Sequence, residues 1–120
     1  MKKILIIEDD SVLNNAYKQK LTGAYNLIIA IDGESGLTKA VGEQPDLIIL
    51  DLILPGFENG LHVLNKLKQN PDTKHIPVIV ITNIDNQSRP ALDMGAVDYL
   101  IKSNIDMNQV VEKINTYLPK

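Results

Sequence analysis

Pro45-Asp46-Leu47-Ile48-Ile49-Leu50-Asp51-Leu52-Ile53-Leu54-Pro55-Gly56 is the stretch whose reading decides the fold. Leu47 to Leu50 form a short apolar run, led in by Pro45-Asp46, and read as a strand buried on both faces. Asp51 is a lone carboxylate at its exit. Three further runs stop in the same way: Ile4-Leu5-Ile6-Ile7 at Glu8-Asp9-Asp10, Val78-Ile79-Val80-Ile81 at Thr82, and Tyr99-Leu100-Ile101 at Lys102. As parallel strands of one sheet they would bring these side chains to one crevice at its carboxyl edge, where open α/β sheets bind ligands. Clustered acids want a cation, while a hydroxyl and an ammonium want an anion. Together they describe a site for a divalent metal and a phosphoryl group.

The intervening segments carry helical periodicity. Val12, Leu13, Ala16, Tyr17 and Leu21 share one face, with Gly23 as a stop; Leu37, Ala40 and Val41 mark a second helix ending near Gly42. Leu61, Leu64 and Leu67 mark a third helix that stops around Asn70-Pro71. Ala91, Leu92 and Met94 belong to a short fourth that ends at Gly95. Val110, Val111, Ile114, Tyr117 and Leu118 form the stripe of the last. With Leu27-Ile28-Ile29-Ala30-Ile31 as a second strand, five β/α units alternate, which implies a parallel sheet covered on both sides. Right-handed crossovers leave few orders for five strands. The order 2-1-3-4-5 sets strands 1 and 3 side by side, and so sets Glu8 and Asp9 beside Asp51. The fold class is therefore α/β: a doubly wound, flavodoxin-like three-layer sandwich.

Composition narrows the function classes. The 120 residues, 44% hydrophobic with mean hydropathy −0.04, suit one globular domain over residues 1–120. A net charge of −3 offers no basic footprint for nucleic acid. There is no cysteine, which removes disulfides and thiolate metal sites. The first apolar run is too short for a signal peptide, and no run approaches the ~20 apolar residues of a membrane span. A cytoplasmic protein without membrane or direct nucleic-acid contact is expected.

Taken in order, these motifs resemble the response-regulator receiver domain of two-component signalling over essentially the whole length. The pieces that carry the likeness are Ile4 to Asp10, Pro45 to Gly56, Pro77 to Thr82, Met94-Gly95-Ala96-Val97-Asp98-Tyr99 and Ile101-Lys102. The resemblance implies that Asp51 accepts a phosphoryl group from a sensor histidine kinase or phosphotransfer protein, and that the domain then changes its binding to a downstream protein. It implies Mg²⁺, replaceable by Mn²⁺, held by Asp9, Asp51 and the backbone carbonyl of Ile53, with Glu8 acting through water. Thr82 and Lys102 would contact the acyl phosphate, and Tyr99 would be the rotating switch residue. It also implies that the residues two after the acceptor and two after the threonine, here Ile53 and Ile84, govern the hydrolytic water. Such a domain is a phosphoacceptor, not an enzyme with steady turnover.

Each assignment has a plainer alternative. Lys102 is otherwise a solvated lysine, Thr82 a hydroxyl bonded to backbone, and Tyr99 a core aromatic. The acids Glu8, Asp9 and Asp10 are otherwise helix caps; that role goes to Asp10 or Ser11. His62 and His75 are expected at the surface, without ligand partners. An aspartate-nucleophile phosphohydrolase of the haloacid dehalogenase type would need a second Asp where Ile53 stands. An FMN carrier would not place Glu8-Asp9-Asp10 against a flavin phosphate. Within the family, the rival is a degenerate receiver acting as a phosphorylation-independent binding module. Three departures from the common receiver pattern are present. Ser103 stands where proline is usual, Asn83 stands where a small residue is usual and would crowd or cap the pocket, and the loop Gly56-Phe57-Glu58-Asn59-Gly60 is one residue longer. The domain is either stand-alone or the receiver of a larger regulator or hybrid kinase.

Overall fold

The computed structural model describes residues 1–56 and 59–119. The strands are β1 (Lys3–Ile7), β2 (Asn26–Ala30), β3 (Leu47–Leu50), β4 (Val78–Thr82) and β5 (Asp98–Ile101). The helices are α1 (Ser11–Leu21), α2 (Gly33–Glu43), α3 (Gly60–Gln69), α4 (Ser88–Met94) and α5 (Met107–Tyr117), with a 3₁₀ turn at Lys102–Asn104. All strand pairs are parallel and the order is β2-β1-β3-β4-β5, as expected.

Successive strand residues point to opposite faces, and both faces here are apolar. Leu5, Ile7, Ile48, Leu50, Val78 and Val80 face one side, where Ala40 of α2, Val63, Leu64 and Leu67 of α3, and Ala91 of α4 cover them. Ile4, Ile6, Leu47, Ile49, Ile79 and Ile81 face the other, against Tyr17 and Leu21 of α1 and Val110 and Ile114 of α5. This two-sided burial explains why β1, β3 and β4 are continuous apolar runs rather than alternating ones.

Helix ends follow local chemistry. Of the two candidates, Asp10 caps α1, its carboxylate accepting the N–H groups of Val12 and Leu13. The helix α2 runs past Gly42 to Glu43, and Gln44 takes the left-handed cap at φ 48°. Its side-chain amide donates to the carbonyls of Val41 and Asp72, each at 3.1 Å, which offsets a conformation that usually selects glycine. Val12, placed on the apolar face by its spacing, is 77% exposed, and the core-facing positions of α1 are Asn14, Tyr17 and Leu21.

Two glycines allow close packing near the carboxyl edge. A Cβ on Gly36 would strike the Ile7 side chain, and one on Gly60 would collide with Leu52 Cα and the Asp51 carbonyl oxygen. Gly60 therefore lets the first turn of α3 sit on the backbone that leaves β3, with its N–H donating to the Leu52 carbonyl at 3.0 Å. Of the longer loop noted above, Phe57 and Glu58 lie outside the described residues.

Candidate functional site

The register of β1 against β3 pairs Ile7 with Leu50, so Glu8 and Asp51 leave the sheet side by side. Both are buried, at 2% and 3% exposure, while Asp9 is exposed. One carboxylate oxygen from each of Glu8, Asp9 and Asp51 lies within 4.8 Å of the others. Lys102, at the exit of β5, reaches across β4 to this group. Its Nζ stands 2.5 Å from Glu8 Oε1 and 2.7 Å from Asp51 Oδ2. The second oxygen of Asp51 accepts the Ile53 N–H at 3.2 Å, and Glu8 Oε2 accepts the Asp10 N–H at 3.0 Å.

The electrostatics favour added positive charge. Burial pushes the Glu8 carboxyl above the usual carboxylate range; the Lys102 contact and the Asp10 N–H pull it down, but not enough to reverse the shift. Burial alone would lower Lys102, yet the hydrogen bonds and charges of Asp51 and Glu8 hold it above the ordinary lysine value. Both groups are buried together, and the two buried carboxylates of Glu8 and Asp51 share a single ammonium, with the exposed Asp9 adding a third negative charge nearby. The excess favours a proton on Glu8, retention of the proton on Lys102, or another cation. Three hard oxygen donors with surplus negative charge fit Mg²⁺ or Mn²⁺, which bind a few carboxylates and fill their remaining positions with water or phosphate oxygens.

The other expected residues are near, in distinct roles. Thr82 is fully buried at the end of β4, and its Oγ1 accepts the Ile84 N–H at 3.4 Å. The Ile84 carbonyl accepts the hydroxyl of Tyr99, whose ring is half-buried on β5. Thr82, Ile84 and Tyr99 thus form a continuous chain of contacts. The side chain of Ile53 is 56% exposed beside the acids. Asn83 Oδ1 accepts the Ser103 N–H at 3.0 Å, tying the loop after β4 to the turn after Lys102. A serine at 103 brings an N–H that proline lacks, and Asn83 satisfies it. No peptide bond among the described residues is cis, that before Ser103 included, and Lys102 still meets Asp51.

Three neighbours went unassigned in the sequence reading. Asn14, buried on α1, donates from Nδ2 to the Glu8 carbonyl at 2.9 Å. Tyr17, read only as part of an apolar stripe, has its hydroxyl pushed up by burial and further by the charges of Glu8 and Asp51. Gly60 abuts the Asp51–Leu52 backbone. The only signal available for Asn14 was a polar residue at a position where helical periodicity puts an apolar one.

Comparison with known proteins accords with this geometry. The family model described as "Response regulator receiver domain" matches residues 4–115. Response regulator ArlR of Staphylococcus aureus is 40% identical over 121 residues, covering 98% of this chain and 53% of its own length. The chain spans about half or less of the length of the curated relatives it matches. Among solved structures, the Mn²⁺-bound form of response regulator Rcp1 is 31% identical with a TM-score of 0.82, covering all of both chains. The phosphorylated cyanobacterial phytochrome response regulator RcpA is 27% identical with a TM-score of 0.81, covering 98% of this chain and 93% of its own. No helix among the described residues is long and apolar enough to cross a membrane. By its sequence, its strand order and the acids at its sheet edge, the chain belongs to the response regulator receiver domains of two-component signalling.

Proposed function

We propose that this receiver, one domain over residues 1–120, takes a phosphoryl group on Asp51 from a sensor histidine kinase or phosphotransfer protein and changes its affinity for a downstream protein. A receiver domain is a phosphoacceptor signalling module rather than an enzyme. The observation that carries the reading is the Lys102 ammonium bridging Asp51 and Glu8 at 2.7 and 2.5 Å, with Asp9 alongside. That Rcp1 is known with Mn²⁺ bound, and RcpA in a phosphorylated form, supports it.

In this reading Asp9, Asp51 and the Ile53 carbonyl would hold Mg²⁺ or Mn²⁺, with Glu8 acting through water. When bound, the metal neutralises charge as two anions approach, which is most of what phosphoryl transfer requires. A carboxylate oxygen of Asp51 attacks phosphorus, a P–O bond forms, and the bond from phosphorus to the donor's imidazole nitrogen breaks. That nitrogen keeps the bonding pair and takes up a proton. Lys102 moves its ammonium from Asp51 to the transferred group, and the Thr82 hydroxyl donates to a phosphoryl oxygen. Because Thr82 Oγ1 also holds the Ile84 N–H and Ile84 holds the Tyr99 hydroxyl, movement at Thr82 reaches Tyr99 and resets the surface around β5.

The test is intact mass after incubation with a small acyl-phosphate donor, with and without Mg²⁺. Wild type gains one phosphoryl group only with the metal, and Asp51→Asn gains none. Equal labelling of the two proteins refutes the assignment. Partner binding that ignores phosphorylation would favour a phosphorylation-independent binding module instead.

A further inference from the structure

Asn14 stands where the core-facing stripe of α1 calls for an apolar side chain, between Asp10 and the buried Tyr17 and Leu21. Its carboxamide is only half satisfied. Nδ2 donates to the Glu8 carbonyl at 2.9 Å, whereas Oδ1 is buried with no partner, the only such side-chain atom among the described residues. A buried amide with an orphaned acceptor is a net burden on folding, and leucine would fill a similar volume without it. Turning the amide over would set two acceptors face to face, so the Glu8 carbonyl fixes its orientation. Whatever Asn14 contributes is therefore delivered at Glu8.

Its backbone N–H also donates to the Asp10 carbonyl at 2.9 Å. That bond is the ordinary helical one that any residue here would make; what the asparagine side chain adds is its hold on the Glu8 carbonyl, one residue before Asp9. With this grip, each polar atom of Glu8 has a partner: its N–H donates to the Ala30 carbonyl at 2.9 Å, its carbonyl accepts from Asn14, Oε2 accepts from Asp10 and Oε1 meets Lys102. Asp9 is exposed, so the direction of its carboxylate depends on the backbone that carries it.

We propose that Asn14 is a positioning residue for the acidic site, its carboxamide fixing the Glu8 carbonyl, and through it the backbone leading into Asp9, so that Glu8 and Asp9 present their carboxylates together with Asp51 to a divalent cation. The inference rests on the metal-assisted phosphoacceptor reading above. Groups that orient metal ligands are worth roughly ten- to a hundredfold in metal affinity.

The experiment measures Mn²⁺ affinity by electron paramagnetic resonance of the free ion, and the melting of the metal-free protein, for wild type, Asn14→Leu and Asn14→Ala. Neither variant can donate to Glu8, but leucine fills the site and alanine leaves a void. Both are expected to lose about tenfold in Mn²⁺ affinity, while the melting temperature falls clearly less for leucine, which exchanges one orphaned acceptor for another, than for alanine, which also leaves a void. Affinity that follows melting instead, weak in alanine and normal in leucine, would make Asn14 a packing residue and overturn the proposal. Wild-type affinity in both variants would overturn it while leaving the metal site standing. A wild type that binds no Mn²⁺ would overturn the proposal together with the reading beneath it.

Discussion

Replacing Lys102 with methionine keeps an apolar stem and removes the ammonium that Glu8 and Asp51 share. The lysine side chain is 18% exposed and each carboxylate side chain 3%, so little solvent would step in. Removing one member of a buried ion pair typically costs about 3–5 kcal/mol, because the remaining charge is left uncompensated. The lower end applies here, since Glu8 is already pushed up by burial and can take a proton instead. With an unfolding entropy of roughly 2.1 cal/mol/K per residue over 120 residues, a loss of about 3 kcal/mol lowers the melting midpoint by about 12 °C. Mg²⁺ supplies the missing charge, so saturating metal should recover most of the loss. The pH dependence has a definite sign. A carboxyl whose folded pKa is raised adds stability below its ordinary value of 4.5, and that stability is lost as pH rises through the raised value. The gap between variant and wild type should therefore narrow as the solution is acidified. Circular dichroism melts in EDTA and in Mg²⁺, across pH, make the measurement. A variant that melts with wild type in EDTA at neutral pH, or a deficit that Mg²⁺ leaves untouched, would refute the reasoning.

Three further outcomes are expected. Asp9→Ala should abolish Mn²⁺ binding and phosphorylation yet melt no lower than wild type in EDTA, because it relieves like-charge repulsion; unchanged affinity would remove Asp9 from the metal site. Phosphorylated protein should decay over many minutes to hours, because neither Ile53 nor Ile84 carries a side chain that can orient water. Ile53→Asn and Ile84→Glu should each speed decay by up to roughly a hundredfold, and a wild-type half-life of seconds or no acceleration in either would show that other groups hold the water. Gly60→Ala should cost about 1–3 kcal/mol by overpacking against the Asp51–Leu52 backbone and slow phosphorylation; a normal melt would show that α3 can shift aside.

Much of this architecture was legible in the sequence because it rests on few physical rules. A strand buried on both faces must be apolar throughout, so Ile4 to Ile7, Leu47 to Leu50 and Val78 to Ile81 announce themselves, and their polar exits mark the carboxyl edge. What escaped depended on partners distant along the chain. Gln44 adopts a left-handed cap that glycine usually supplies, helped by the carbonyl of Asp72, twenty-eight residues away. Val12 has helical spacing, but the rotation of α1 is set by Asn14, Tyr17 and Leu21, which leaves Val12 in solvent. Asn83 holds Ser103, a pairing between two loops that periodicity does not encode. The meeting of Asp51 and Glu8 followed from the strand order, whereas the Lys102 ammonium bridging both carboxylates across β4 is a side-chain contact that the order alone does not give.

The account turns on where the phosphoryl group goes. Reduction of the freshly phosphorylated protein with borohydride converts an aspartyl phosphate to homoserine, and peptide mass mapping then locates the converted residue. The account predicts conversion in the peptide that carries Asp51, dependent on Mg²⁺ and absent without donor. Conversion at Glu8 or Asp9, or an acid-labile phosphate on His62 or His75 with Asp51 unmodified, would contradict it.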